Sequence, residues 1–322
     1  MKVFQIIVLL LIASTYSFAQ NRKLYFLKDN GKEVSIKDSA DFIRIIEEPD
    51  SGSTNFKVLE YYPNDVKRFI GAASSFEPKL IYEGPCVRYD TLENITRSIK
   101  YFNGTPQGIA YYYYPNGSIM KTLEYGNEGM SGWVDFVNAK YKIIDYFDST
   151  GVQQVKAGLG YAKEVEGNLI DEGNYVNGIK EGLWKGHYKL QSSVFEEIYA
   201  KGIFISGVSI SSEGIRTEYR KIEELPEFIG GRKSWAKYIS RNTNYPKDAR
   251  KGHIAGRVIL SFVIDKDGIL TDVKLLRGIY PSIDVEALRV LRASPKWKPG
   301  IQRGVPVRVA YTMPMEFSLS SQ

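Results

Sequence analysis

The sequence predicts a mainly β protein with a C-terminal α+β domain. The expected architecture is a sheet or solenoid of repeated β-hairpins, then a three-stranded antiparallel sheet with helices on one face. Three observations carry this. Tyrosines and glycines recur at a near-fixed period through the middle of the chain. From Pro226 the pattern changes to short helical stripes mixed with strands. Residues 305–317, "VPVRVAYTMPMEF", alternate apolar and polar positions, with prolines near both ends.

The repeats come first. "YFNGTPQGIA" begins at Tyr101, "YGNEGMSGWV" at Tyr125, "YVNGIKEGLW" at Tyr175 and "YAKGIFISGV" at Tyr199. The steps of 24, 50 and 24 fit a period of about 25 with a degenerate copy near residue 150. Each copy reads as an aromatic residue, a Gly-containing turn and a second short strand, which is a hairpin. One hairpin cannot bury its aromatic face alone, so neighbours must stack, and the tyrosines then form a ladder. "YYPND" at Tyr61 and "YYPNG" at Tyr113 punctuate the same region as turns. Upstream, "LYFLKDNGKEV" predicts a strand, an Asp-Asn-Gly turn and a return strand, so residues 20–99 are expected to be further β-structure.

In the C-terminal part, Trp235, Tyr238 and Ile239 fall at i, i+3, i+4 and predict a short helix. It ends before "NTNYP", where Pro246 pushes Tyr245 towards an extended conformation. "PKDARKGHIAG" gives a second helical turn with a glycine exit. A hairpin follows: Val258, Leu260, Phe262 and Ile264 share one face, and Asp265-Lys266-Asp267-Gly268 turns the chain. "SIDVEALRVLRAS" predicts a helix with Ser282 as candidate N-cap, acidic residues in its first turn, and Ile283, Ala287, Val290 and Leu291 as its apolar stripe.

The final alternation places Val305, Val307, Val309, Tyr311, Met313, Met315 and Phe317 on one parity, with Pro306, Arg308, Ala310, Thr312, Pro314 and Glu316 on the other. Period two means a half-buried strand. Proline cannot donate to a ladder, so the strand belongs at a sheet edge. Both prolines share one parity and delete donors from one side only, so the inner ladder survives if that side is free. The open edge then keeps N–H donors at Arg308, Ala310 and Thr312, a short strip with a stop at each end. An ordinary edge strand, protected from aggregation by its prolines, has the same signature.

At 322 residues, 43% of them apolar, the chain has room for two domains with ample core. Lys2, an apolar run over residues 3–13 and Ser17-Phe18-Ala19 read as a signal peptide cleaved after Ala19. Cys86 is the single cysteine, so no intramolecular disulfide forms, and a small buried residue is its simplest role. His187 and His253 are the only histidines and lie far apart, which gives no support to zinc or histidine-based catalysis. Asp265, Asp267 and Asp272 come without a nucleophile-and-base pattern, so an enzyme is not expected, nor a cofactor or metal. Residues 225–322 hold 17 Lys+Arg against 8 Asp+Glu, net +9 of the chain's +6, which leaves −3 for the rest. An exported basic domain is expected to meet acidic protein segments or lipid headgroups, not nucleic acid.

The Tyr-x-Asn-Gly-x-x-x-Gly pattern over about residues 100–210 resembles MORN-type repeats, which implies a scaffold or interaction surface. Residues 226–319 resemble the TonB C-terminal domain. The matching features are Tyr245-Pro246 followed by Ala249, Gly256-Arg257-Val258, Asp267-Gly268, Glu286-Ala287-Leu288 and Trp297-Lys298-Pro299-Gly300 before the last strand. The resemblance implies that the last strand pairs with a short peptide of an outer-membrane transporter. That carries to Val305, Val307, Arg308, Val309, Ala310, Tyr311 and Thr312, and, near the Tyr-Pro motif, to Asn242, Asn244, Tyr245 and Pro246. Arg308 and Thr312 are the expected side-chain contacts, while Trp297 is expected to plug the core. The chain departs from classical energy transducers: repeats stand in place of a Pro-rich spacer, and no histidine precedes His187.

The expected organisation is a signal peptide (1–19), an N-terminal β region (20–99), hairpin repeats (100–220), a linker (221–228) and a TonB-like domain (229–322). The expected function is that of a periplasmic protein of the Gram-negative cell envelope that binds an extended envelope-protein peptide by strand addition, with a link to TonB-dependent transport. The alternative is an envelope scaffold that works through its repeat face, with the C-terminal domain used for homodimerisation or docking. Membrane association is expected to be peripheral if the signal is cleaved.

Overall fold

The computed structural model describes residues 22–126, 141–190 and 192–319. The expected signal peptide, and the turn of the repeat copy that begins at Tyr125, lie outside these residues. The chain divides into two compact units, residues 1–159 and 160–322.

The first unit is an antiparallel meander. Strand Arg22–Leu27 pairs with Glu33–Val34 and Phe42–Glu47, and pairing then passes in turn to Phe56–Tyr61, Lys67–Ser75, Ile81–Tyr89 and Ile95–Phe102. It continues through Gly108–Tyr113, Ile119–Tyr125, Tyr141–Phe147 and Gln153–Lys156. The expected turns are present. Gly31 has φ 80° between the first two strands, and Tyr62 and Tyr114 donate backbone N–H groups across the two Tyr-Pro-Asn turns to Val66 and Ser118. Ile46, Val58, Phe69, Ala73 and Cys86 form a core on one face, and Phe69, Tyr82 and Tyr101 continue it as rings 5.1 and 5.4 Å apart.

The second unit begins within strand Leu159–Glu166 and continues with Leu169–Val176, Ile179–Tyr188, Val194–Ala200, Ile203–Ile210 and Arg216–Tyr219, each paired with the next. Its two-residue turns Asn177-Gly178 and Lys201-Gly202 have positive φ at both positions, the hairpin geometry whose twist matches the strands. The degenerate copy shows the same feature at Ala157-Gly158, in the first unit. The predicted aromatic ladder is present. Tyr175, Trp184, Tyr199, Phe204 and Tyr219 follow one another at centroid separations of 5.1, 6.4, 5.8 and 5.6 Å. Gly173 lies under the indole of the fully buried Trp184, where a Cβ would overlap the ring.

The α+β part follows within the same unit. Helices α1 (Gly231–Asn242), α2 (Lys247–Lys251) and α3 (Pro281–Arg292) pack with a three-stranded antiparallel sheet. Its strands, in spatial order, are Leu270–Arg277, Gly256–Ile264 and Val309–Phe317. All four residues of the predicted α3 stripe are buried. The N-cap differs from expectation. Pro281 takes the first helical position, where its fixed φ is favourable, so the cap falls on Tyr280. Ser282 instead bonds the Asp248 carboxylate, and Asp284 reaches back to accept the Ile279 N–H at 2.9 Å. Segment 221–228, expected as a linker, carries two short strands. Glu223–Glu224 pairs with Gly300–Gln302, and Glu227–Phe228 with Trp297–Lys298.

Candidate functional site

The last strand, Val309–Phe317, pairs with Gly256–Ile264 in a continuous register from Ile264↔Val309 to Gly256↔Phe317. Its other side has no strand partner among the described residues. The alternation works as predicted: Met315 and Phe317 are buried and Tyr311 and Met313 pack on the core, while Ala310, Thr312, Pro314 and Glu316 are exposed. Pro314 stands opposite Ile259. Antiparallel ladders alternate bonded and unbonded pairs, and a residue without N–H fits an unbonded one. Residues of that parity, Ala310 and Thr312, then aim their N–H groups at the open side.

The strand is shorter than expected. Arg303-Gly304 forms a two-residue turn with φ of 49° and 77°, and it folds Val305–Val307 back on Gly300–Gln302. Pro306 therefore faces Ile301 in a separate short ladder. Arg308 lies between the two ladders, and its guanidinium reaches the Asp272 carboxylate at 3.2 Å. Of the predicted strip, Val309, Ala310, Tyr311 and Thr312 lie on the open edge of the main sheet. Val305 and Val307 lie on the outer strand of the small one. Alternation cannot separate two collinear strands that serve different ladders.

The Tyr-Pro segment sits at the far end of the edge. The Tyr245 ring meets Phe317 edge-on at 5.9 Å, and its hydroxyl donates to the Ile254 carbonyl. Thr312 and Phe317 are five residues apart, about 17 Å of extended strand. The Asn244 N–H donates to Glu286 at 2.6 Å, and Arg289 bonds both Glu286 and the Asn242 carbonyl. The hydrogen bond from Arg289, with that from Asn244, holds the Glu286 carboxyl below its ordinary pKa against the opposing effect of burial. Asn242 also donates its side-chain amide to the Tyr238 carbonyl at 2.8 Å. Pro246 precedes α2 in extended conformation.

The remaining motif residues build the fold. Trp297 is buried among Phe228, Trp235, Phe262 and Tyr311, and its indole N–H donates to Ser294 at 2.9 Å. Gly268, with φ 78°, accepts the Trp297 N–H at 2.8 Å, and a Cβ there would strike the Trp297 carbonyl. Asp267 is exposed in that turn, whose backbone is held by the Asp265 carboxylate through the N–H groups of Asp267 and Ile269. Ala287 is buried, and Leu288 packs on the same core. Gly300 leaves room for Val309 and Pro226, Pro299 beside it is half-buried, and Gly256 opens the central strand opposite Phe317.

Sequence reasoning missed Arg303. Its side chain, 10% exposed, meets the 1%-exposed Glu197 carboxylate at 2.8 Å. It also bonds the Tyr188 hydroxyl and stacks over Phe195 at 4.0 Å. Its backbone N–H donates to Ile222 at 2.6 Å, and its carbonyl accepts from Ser209 at 2.5 Å. Burial acts to lower the Arg303 pKa, but Glu197, Tyr188 and Tyr219 together outweigh it and raise the value. Burial and the same carboxylate push Tyr199 and Tyr219 upward, so both stay neutral donors to Glu197. One turn of the small sheet is thereby anchored in the repeat strands. Nothing in the sequence near Arg303 points to this partner, 106 residues away.

The fold and the edge define an α+β module that follows hairpin repeats and whose last strand is open on one side among the described residues. Residues 241–319 match the family model described as Gram-negative bacterial TonB protein C-terminal. Among solved structures, the chain is similar to the NMR solution structure of the Helicobacter pylori TonB C-terminal domain (residues 179–285). That match has 27% identity over 27% of this chain and 78% of that one, with a TM-score of 0.22. No curated protein matches the chain. The C-terminal part is TonB-like.

Proposed function

We propose that this chain is a TonB-like protein of the periplasm that captures an extended peptide of an envelope protein by adding it as a strand to the open edge at Val309–Thr312. The carrying observation is that edge, without a strand partner among the described residues, in a segment matching the TonB C-terminal family. The partner class that fits is a TonB-dependent outer-membrane transporter. Two outward donors and their neighbouring acceptors, at about 1 kcal/mol net each, give a few kcal/mol. A micromolar complex needs about −8 kcal/mol, so side chains must contribute, with Thr312 and the exposed Arg308 nearest.

The test uses Ala310→Pro and Thr312→Pro, which remove outward N–H groups and leave the inner ladder intact. Binding is read by fluorescence anisotropy with a labelled peptide from the periplasmic N-terminal segment of such a transporter, and folding by circular dichroism. Each variant should keep the wild-type spectrum and bind at least about tenfold more weakly, a loss of 1.4 kcal/mol. Wild-type affinity in both variants would rule out strand addition.

A second reading, a scaffold working through its repeats, is favoured by exposed apolar residues there. Leu183 and Ile198 are cross-strand partners at 44% and 42% exposure, beside Ile205 at 45%. Loss of envelope function in Leu183→Glu, with Ala310→Pro unaffected, would support it.

A further inference from the structure

Across the first unit, Arg44, Glu60, Phe69, Arg88, Arg97 and Tyr112 are successive cross-strand partners. Directly opposed residues share a face, so these side chains form one row. The row carries more cation than its single carboxylate matches. Glu60, 1% exposed, is met by Arg44 at 2.6 Å, by Arg68 from the adjacent bulge at 3.3 Å and by Arg88 at 4.0 Å. Arg68 has a further carboxylate, Asp29, at 2.8 Å. Arg97 has no hydrogen bond or ion pair among the described residues, and it stands directly opposite Arg88.

Like charges in that relation destabilise a sheet, and a buried donor needs a partner. The Arg88 Nε is buried without a partner. Burial, aided by the charges of Arg97 and Arg68, holds the Arg88 pKa below its ordinary value in spite of Glu60. Next to these groups is a cavity of about 40 Å³, lined by Arg88, Arg97, Phe69, Tyr82, Cys86 and Tyr101.

We propose that this cavity is a binding site for a compact monoanion, a formate-sized carboxylate or a halide, held between Arg88 and Arg97. On the same measure one water needs about 10–15 Å³, so the volume has room for a group the size of a carboxylate or a halide. A guanidinium fork matches a carboxylate in two parallel hydrogen bonds. Burial raises the Tyr82 hydroxyl to about 12, so it stays protonated on the wall of the cavity. The anion supplies the negative charge that the Arg88–Arg97 pair lacks and fills the orphaned Arg88 donor. The site is independent of the open edge in the second unit.

The test is thermal unfolding of the full mature chain in sodium formate, sodium chloride and sodium gluconate at one ionic strength. Gluconate serves as the bulky anion that the cavity rejects. Tm should rise with formate or chloride and level off, and gluconate should give no such rise. Saturation by formate alone assigns a carboxylate ligand; saturation by chloride as well assigns a general monoanion site. Arg97→Gln should remove the shift. If Arg97→Gln does not fold, Arg97→Lys, which keeps the charge and loses the fork, should weaken the formate response. Equal Tm in all three salts, or an unchanged response in the variant that folds, would overturn the proposal.

Discussion

Replacing Arg303 with methionine keeps much of the side chain's length and removes its charge. The structure then leaves Glu197, 1% exposed, with only the hydroxyls of Tyr199 and Tyr219 as side-chain donors. Removing one partner of a buried ion pair costs about 3–5 kcal/mol, because the other charge stays buried and uncompensated. The guanidinium's stacking on Phe195 is lost as well, about 1 kcal/mol. Urea unfolding of Arg303→Met should therefore show a loss of about 3–5 kcal/mol in the transition that includes the C-terminal unit. The double variant Arg303→Met/Glu197→Gln should be more stable than the sum of the single losses implies, by about 1–3 kcal/mol. A loss under about 1 kcal/mol in the single variant, or strict additivity in the cycle, would refute the reasoning that this pair anchors the small sheet to the repeat strands.

Further outcomes follow from packing and burial. Gly173→Ala drives a methyl into the ring of Trp184 and should lower stability by about 1–3 kcal/mol, read by denaturant unfolding with near-ultraviolet circular dichroism reporting the displaced indole. Cys86 is buried, and its thiol is pushed up to about 11, so thiolate is scarce at pH 8. Alkylation by iodoacetamide at that pH should be slow in the native chain and fast in urea; fast native labelling would contradict the burial. Mass spectrometry of protein from the envelope fraction should find a mature chain that starts at Gln20. A start at Met1 in the membrane fraction would instead favour a membrane-anchored transducer.

Much of the fold was legible because it rests on local rules. Asn177-Gly178 and Lys201-Gly202 specify their own turns, and the Tyr and Gly spacing follows from stacking one hairpin on the next. In the α+β part, the stripe of α3 and the alternation of the last strand each announce which face is buried. What was not legible depends on contacts between distant residues. Nothing near Arg303 names Glu197 as its partner. The break at Arg308 arises because the Arg303-Gly304 turn commits Val305–Val307 to a different ladder, while the apolar/polar period runs on unchanged. Ser282 had the right chemistry for a cap but lost the position to Pro281, whose ring is already set for the first turn. The Asn242–Pro246 segment belongs to the same module as the edge, yet its fixed contacts are with Glu286, Arg289 and Phe317.

The central claim is that the open side of Val309–Phe317 accepts another strand. Hydrogen exchange of the full chain, followed by mass spectrometry with and without the transporter peptide, tests it directly. The account predicts that the amides of Ala310 and Thr312 exchange quickly in the free chain and become protected on binding, with little change along residues 259–264, which are flanked by strands on both sides. Protection confined to the repeat strands, with Ala310 and Thr312 unchanged at saturating peptide, would contradict it.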